Sequence, residues 1–229
     1  NRWTAVLMAL LSPGALYLIL AGIPRMQREY LYFFSVQGLV YMWITIGASK
    51  LIHEMSHAYV AKGLGLRVPK MGVAFLVFCP YLYCDTTDAW QLASRRQRIA
   101  ISGAGVVAEG VLAILGAYVW YFSRPGIVNS LAFYLMAVSL LSTALINANP
   151  LMKRDGYFVL SDLLDIPNLA TKSQGHLRWL FQNCVLGMAR VEPVAATPRE
   201  GRIFFTYGVG AFVYRIVIYL GIVGLVYDK

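Results

Sequence analysis

Long apolar stretches are the feature that most restricts how this chain can fold. Of its 229 residues, 59% are hydrophobic and only 14% are charged, whereas an ordinary soluble domain carries nearer a quarter charged residues. The apolar residues are grouped into stretches of roughly twenty, the length that a helix needs to cross the hydrocarbon core of a bilayer. We therefore predict an all-α polytopic membrane protein.

The apolar stretches predict about five transmembrane helices. They cover residues 4–23, 33–64, 99–122, 127–148 and 203–227. Residues 73–78 form a short apolar run that is rich in β-forming residues, and they predict a β-like or re-entrant element that ends at residues 79–81. Asp88 and Gln91 resemble a capping box, which predicts a helix that starts near Ala89 and continues into the third span. Residues 177–188 repeat apolar side chains with a helical period, which predicts an interfacial helix or a surface helix packed on protein. We expect His176, near the start of this helix, to be solvated.

The last helix has a recognisable start. Thr197 is a predicted N-cap, followed by Pro198 at the first helical position and Glu200 at the third.

The basic residues are arranged as membrane proteins arrange them, in loops between apolar stretches. The formal net charge is +9, but no single polar face collects it, so we expect no nucleic-acid partner. Of the 20 Lys and Arg residues, one precedes the first stretch, six lie within 62–98 and seven within 153–202. With five crossings, these three segments lie on the same side of the membrane, and the positive-inside rule predicts that this side faces the cytoplasm.

The cysteines and the chain start give weaker expectations. Cys79, Cys84 and Cys184 are too few to build a disulfide framework, and on the cytoplasmic side we expect free thiols. We treat residues 1–229 as a single membrane-embedded domain. Because it starts at Asn1 rather than at a methionine, we expect a processed chain or a fragment of a longer one.

Residues 53–57 read H-E-x-x-H inside the second apolar stretch. On a helix, His53 and His57 lie on one face about 6 Å apart along the axis, a span that a single Zn²⁺ can bridge. Glu54 is turned roughly 100° from His53 and can reach a metal-bound water as a general base. An accidental pair of helix histidines is the alternative. Ionisable residues at membrane depth are costly, however, and this favours a function.

The third protein ligand of such a zinc ion must come from elsewhere in the chain. In soluble metalloproteases with the extended motif it is a histidine six residues after the second one, but here that position is Gly63. The carboxylates at membrane depth are Glu109, in the third apolar stretch, and Asp155, just after the fourth. Either of them could complete the site.

The H-E-x-x-H motif and a later N-x-x-P-x-x-x-x-D-G motif together resemble the site-2 protease family of intramembrane zinc metalloproteases. The later motif spans residues 147–156, and Ala104-Gly105 is similar to the small-residue third helix of the family. Residues 149–163 resemble the bacterial peptide zinc metalloprotease branch. The core motifs lie within 51–169, while the remaining spans are predicted from topology alone.

The resemblance implies that Asp155 is the third zinc ligand, that Asn147 binds the substrate or holds a neighbouring ligand, and that Glu54 is catalytic. It implies a zinc-dependent intramembrane endopeptidase that cleaves a transmembrane segment or a membrane-associated peptide. We expect it in the bacterial inner membrane, with the active site toward the cytoplasm. The alternative is a non-catalytic subunit of a larger membrane complex that keeps a structural metal site. An intact Glu54 favours the enzyme.

Glu109 departs from the family pattern. Where the family often has A-G-P-x-x-N, residues 104–109 read A-G-V-V-A-E. A carboxylate at mid-membrane needs a cationic partner or a proton, and Arg215 in the last apolar stretch is the predicted partner. The competing hypothesis is that Glu109 binds zinc in place of Asp155.

Overall fold

The computed structural model describes residues 2–30, 35–76, 79–184, 186–187, 195 and 197–227. The chain divides into two compact units, Asn1–Ala148 and Asn149–Lys229. The prediction of a single domain over 1–229 is not tested and stays a prediction.

The first unit consists of helices and one hairpin. Its elements in chain order are α1 (Arg2–Ala21), α2 (Ile23–Tyr30), α3 (Val36–Gly63), β1 (Met71–Leu76), β2 (Cys79–Cys84), a 3₁₀ helix (Thr87–Gln91), α4 (Arg95–Ser102), α5 (Ala104–Phe122), α6 (Ile127–Leu141) and a π-helical turn (Ser142–Asn147). The second unit contains α7 (Asp155–Leu164), α8 (Leu169–Cys184) and α9 (Pro198–Tyr227).

The predicted fold class, a helical membrane protein with a short β element, is confirmed. Within the described residues, three helical segments are long and apolar enough to cross a membrane: Ala104–Phe122, Ile127–Asn147 and Pro198–Gly224. Val6–Ala21 is apolar but shorter. Helix α3 has 28 residues and extends for about 42 Å at the helical rise. The crossings by α1 and α3 stay predictions.

Helices α5, α6 and α3 pack around the core of the first unit. Trp120, Phe133 and Met136 are buried in it. Gly116 lets α5 approach α6 closely, because a Cβ there would lie 2.9 Å from the Met136 backbone nitrogen and 3.0 Å from the Ala132 carbonyl oxygen. Small residues at such crossings are typical of helix packing in membranes, where van der Waals contact replaces the hydrophobic effect.

The predicted β-like element is one strand of an antiparallel hairpin. The register runs from Met71 opposite Cys84 to Leu76 opposite Cys79. The expectation that residues 79–81 end the extended segment is wrong, since they begin strand β2. Pro80 is tolerated there because each strand of a two-stranded sheet has a free edge that needs no N–H donor. Residues 77–78, part of the predicted run, lie outside the described residues.

The helix predicted to start near Ala89 and to continue into the third span is not continuous. Asp85 forms an Asx turn, in which its Oδ1 accepts from the Thr87 backbone N–H at 3.1 Å, and a 3₁₀ helix follows. The backbone is extended at Leu92 and again at Ser94 before α4 begins. The predicted cap of the last helix is confirmed: the Glu200 backbone N–H donates to Thr197 Oγ1 at 3.2 Å.

Helix α8 packs against α9 in the second unit. His176, expected to be solvated, is only 6% exposed. It stacks on Trp179 and meets the ring of Phe204 edge-on. The solvated assignment is therefore wrong, because α9 covers this face of α8. The predicted apolar repeat also included Val185 and Met188, which lie outside the described residues.

Candidate metal site

His53 and His57 converge on one point beside helix α3. Both are buried, with exposed fractions of 4% and 7%, and their Nε2 atoms lie 3.2 Å apart. The predicted placement of the two imidazoles on one helix face is therefore found in the structure. Their burial follows from α5, whose N-terminal half packs over this face.

Each imidazole is fixed through its other nitrogen. His57 Nδ1 lies 2.7 Å from the Ile101 carbonyl oxygen, and His53 Nδ1 lies 3.2 Å from Glu109 Oε1. A carbonyl oxygen and an ionised carboxylate only accept hydrogen bonds, so each Nδ1 carries the proton. The two facing Nε2 atoms then present lone pairs to each other. A cation or a shared proton between them relieves that repulsion.

The distance between the Nε2 atoms fits a zinc ion. Two nitrogens bound to zinc at 2.0–2.1 Å with a tetrahedral angle are about 3.3–3.4 Å apart, close to the 3.2 Å found here. The space in front of the rings exists because residue 105 is glycine. A Cβ there would lie 2.5 Å from His53 Nε2 and 2.6 Å from His57 Nε2. The histidine pair and Gly105 therefore fit a tetrahedral metal.

Glu54 lies on α3 between the two histidines in sequence and is half-buried. The hairpin packs beside this helix. Burial raises the pKa of the Cys84 thiol to about 11, and the negative charges of Glu54 and Asp85 add to that rise. Glu54 is therefore close enough to the last residue of β2 to act on it electrostatically. Cys84 is a free thiol, as predicted, and so is Cys184.

Glu109 is the centre of a buried polar network that the sequence did not reveal. It is fully buried, and its Oε1 accepts a charge-assisted hydrogen bond from Lys50 Nζ at 2.7 Å. Lys50 lies on α3 three residues before His53, and this one-turn spacing was the available signal. The predicted partner, Arg215, belongs to the second unit, so that contact stays a prediction.

The π-helical turn Ser142–Asn147 supplies the remaining donors to Glu109. Thr143 Oγ1 donates to Glu109 Oε2 at 2.7 Å, and Asn147 Nδ2 donates to the same atom at 2.8 Å. A π turn closes i to i+5 hydrogen bonds, and it brings Asn147 Nδ2 within 3.2 Å of Ser142 Oγ. Asn147 Nδ2 also lies 3.5 Å from His53 Nδ1, so Asn147 contacts both this histidine and, at the shorter distance, its carboxylate partner. Its predicted substrate role is not tested.

Asp155 belongs to the second unit and is the first residue of α7. The segment before it is held by Asn149 Oδ1, which accepts from the Leu151 backbone N–H at 2.9 Å, and by the Pro150 carbonyl, which accepts from Tyr207 Oη at 3.2 Å. This segment therefore gives Asp155 a fixed place within its own unit. The convergence of Asp155 with the two histidines stays a prediction.

The described helices include three that are long and apolar enough to cross a membrane, and the H-E-x-x-H helix carries a buried histidine pair whose geometry could hold a metal ion. The sequence model of Peptidase family M50 matches residues 41–133. This match confirms the resemblance to the site-2 protease family and supports a membrane-embedded metalloprotease. It covers His53, Glu54, His57 and Glu109 but ends before Asn147, and it does not test the bacterial branch. No curated protein and no solved structure matches the chain.

Proposed function

We propose that the protein is a zinc-dependent intramembrane endopeptidase, in which His53, His57 and Asp155 hold the metal and Glu54 acts as the general base. The observation that carries the proposal is the pair of Nε2 atoms, 3.2 Å apart, each on a ring fixed through Nδ1. Two histidines and a carboxylate are a donor set that catalytic zinc uses, with one position left for water or substrate.

The chemistry divides between the metal and Glu54. When bound, zinc supplies a Lewis acid that polarises the scissile carbonyl and makes a water molecule acidic near neutral pH. The Glu54 carboxylate takes the proton of the attacking water and returns it to the leaving amine. A structural metal site has no use for such a base, so Glu54 favours this proposal over a non-catalytic subunit of a larger membrane complex.

The hairpin offers a way to hold an extended substrate. A transmembrane segment must unwind before cleavage, because its helical carbonyls are already hydrogen-bonded. An unwound segment can pair with the free edge of a strand. Val73 and Phe75 on β1 are exposed, which suits an apolar partner surrounded by lipid. We propose that the substrate is a transmembrane segment or a membrane-associated peptide. We also propose a bacterial inner-membrane location, with the site toward the cytoplasm.

Replacing Glu54 by glutamine tests the enzymatic role. With purified protein in detergent micelles and a fluorogenic library of apolar peptides, we expect Glu54→Gln to lower cleavage by about 10²- to 10⁴-fold. Zinc content should stay at that of the wild-type chain. The matched control is Glu200→Gln, which makes the same change in the first turn of α9 and should cleave normally. Unchanged cleavage by Glu54→Gln would remove the protease assignment.

Replacing Asp155 by asparagine tests the ligand set. Asparagine keeps the shape but removes the charge, so we expect zinc affinity to fall by at least about tenfold. The control is Asp165→Asn, at the left-handed end of the same helix, where asparagine is well tolerated. Equal zinc affinity in the Asp155→Asn variant and the wild-type chain would show that Asp155 is not the third zinc ligand.

A further inference from the structure

We propose that Glu109, balanced in charge by Lys50, is a positioning residue that fixes the tautomer and orientation of His53. The inference rests on the proposed function in one respect, that His53 Nε2 binds zinc. The tautomer of His53 can be measured in the metal-free protein and does not depend on that function. Glu109 is thus assigned to the far side of the imidazole from the metal, not to the metal itself.

Five side chains converge on the Glu109 carboxylate. The oxygen Oε1 lies 2.7 Å from Lys50 Nζ, 3.2 Å from Ser142 Oγ and 3.2 Å from His53 Nδ1. The oxygen Oε2 accepts from Thr143 and from Asn147. Both oxygens therefore act as acceptors, which an ionised carboxylate allows. The asparagine that the family often has at this position would offer one acceptor oxygen and turn an NH₂ group toward other donors.

Lys50 explains how a carboxylate can be buried here. An ionised carboxylate in an apolar interior is strongly unfavourable unless a cation and hydrogen bonds compensate it. Lys50 Nζ supplies the cation at 2.7 Å and also donates to Ser142 Oγ. With Lys50 present, Glu109 can stay ionised, and an ionised carboxylate is the strongest acceptor available for an imidazole N–H.

The position of Glu109 beside His53 Nδ1 distinguishes a residue that positions the histidine from a residue that binds the metal. The Nδ1 and Nε2 atoms of an imidazole point to opposite sides of the ring. Oε1 of Glu109 lies at the Nδ1 side of His53, whereas His57 and Gly105 lie at the Nε2 side. A carboxylate behind a ligating histidine orients the ring and raises its basicity. This geometry favours a positioning role over the alternative in which Glu109 replaces Asp155 as a ligand.

The direct test is the histidine tautomer in metal-free protein. The chain has three histidines, so ¹⁵N-histidine labelling gives three imidazoles that single substitutions can assign. At about pH 8.5, well above the ordinary histidine pKa, we expect wild-type His53 to carry its proton on Nδ1. A proton on Nε2 in the wild-type chain overturns the proposal whatever any variant does.

The decisive variant is the double substitution Lys50→Met with Glu109→Leu, because it removes both charges and leaves none buried alone. We expect His53 to lose its preference for the Nδ1–H tautomer, whereas His57 keeps it through the Ile101 carbonyl and serves as an internal control. Zinc affinity should fall by about 10- to 100-fold. Lys50→Met alone removes the cation that keeps Glu109 ionised, so it should also weaken the preference of His53 for the Nδ1–H tautomer.

The outcomes separate this inference from the proposed function. If the double variant keeps the wild-type His53 tautomer and the wild-type zinc affinity, the network is only structural and the positioning role is wrong. If the wild-type chain binds no zinc but the tautomer changes as expected, the positioning role stands and the metalloprotease proposal fails. A changed His53 tautomer together with weaker zinc binding in the double variant supports the positioning role and the metal site alike.

Discussion

The substitution Gly105→Ala provides the sharpest test of the metal site, because it adds one methyl group in front of both imidazoles. In an ordinary helix this change stabilises by roughly 0.5–1 kcal/mol, since alanine loses less conformational freedom than glycine. Here the new Cβ would lie 2.5 Å from His53 Nε2 and 2.6 Å from His57 Nε2. It would occupy the space that we assign to zinc.

The required displacement can be compared with what a metal tolerates. Ordinary van der Waals contact begins at 3.4 Å, and the nearest ring atoms, His53 Cε1 and His57 Nε2, would lie 2.4 and 2.6 Å from the new Cβ, so the rings would have to retreat by about 0.8–1.0 Å. Metal–ligand distances vary by only about 0.2 Å around their usual values. The shift exceeds this tolerance roughly fourfold, so the two nitrogens could no longer share one ion. We expect Gly105→Ala to lose at least about two orders of magnitude in zinc affinity.

Zinc content by mass spectrometry and zinc affinity by competition with a chelating dye would measure the effect. Gly110→Ala on the same helix is the matched control, because its new Cβ would meet only the flexible end of Met8 at 3.4 Å. Thermal melting of the metal-free protein shows whether each variant folds. A folded Gly105→Ala variant that binds zinc like the wild-type chain would refute the placement of the metal between the two Nε2 atoms.

Two further predictions concern the hairpin and the helix packing. Burial and nearby negative charge raise the Cys84 pKa to about 11. In a variant whose other two cysteines are serine, the alkylation rate of Cys84 should therefore rise about tenfold per pH unit through pH 10. Glu54→Gln should lower that pKa and speed alkylation at a given pH; a rate that levels off near pH 9 would contradict this. Gly116→Ala should destabilise by about 1–3 kcal/mol, because its Cβ meets the backbone of α6. Gly47→Ala, with nothing within 4 Å, should not lower the melting temperature.

Local patterns predicted the helices and the histidine pair well. The apolar stretch 127–148 corresponds to the observed Ile127–Asn147, and Thr197 caps α9 as expected. The four-residue spacing of His53 and His57 fixed their shared helix face. Each of these features depends on residues that belong to one continuous segment of the chain, and such local relations can be read directly from a sequence.

The features that the sequence did not reveal depend on long-range pairing. Glu109 and Lys50 are 59 residues apart, and no local pattern indicates which cation a buried carboxylate meets. Arg215 is an equally reasonable partner from composition alone. The π turn at Ser142–Asn147 was also missed, because its sequence fits an ordinary helix. Pro80 by itself predicts the end of an extended segment. Its place in strand β2 becomes clear only from the pairing of that strand with Met71–Leu76.

The mean hydropathy of helix α3 does not show how its polar and apolar side chains are distributed. With 28 residues α3 is long enough to cross a membrane, but Lys50, His53 and His57 lower its mean hydropathy, and it is not among the helices apolar enough to be candidate spans. The two histidines nevertheless face the interior, covered by α5 and fixed by Ile101 and Glu109. Its exposed side chains over the same turns are apolar: Leu51, Ile52, Met55 and Tyr59. A helix with polar groups inside and apolar groups outside suits a bilayer, and this arrangement supports the predicted crossing by α3.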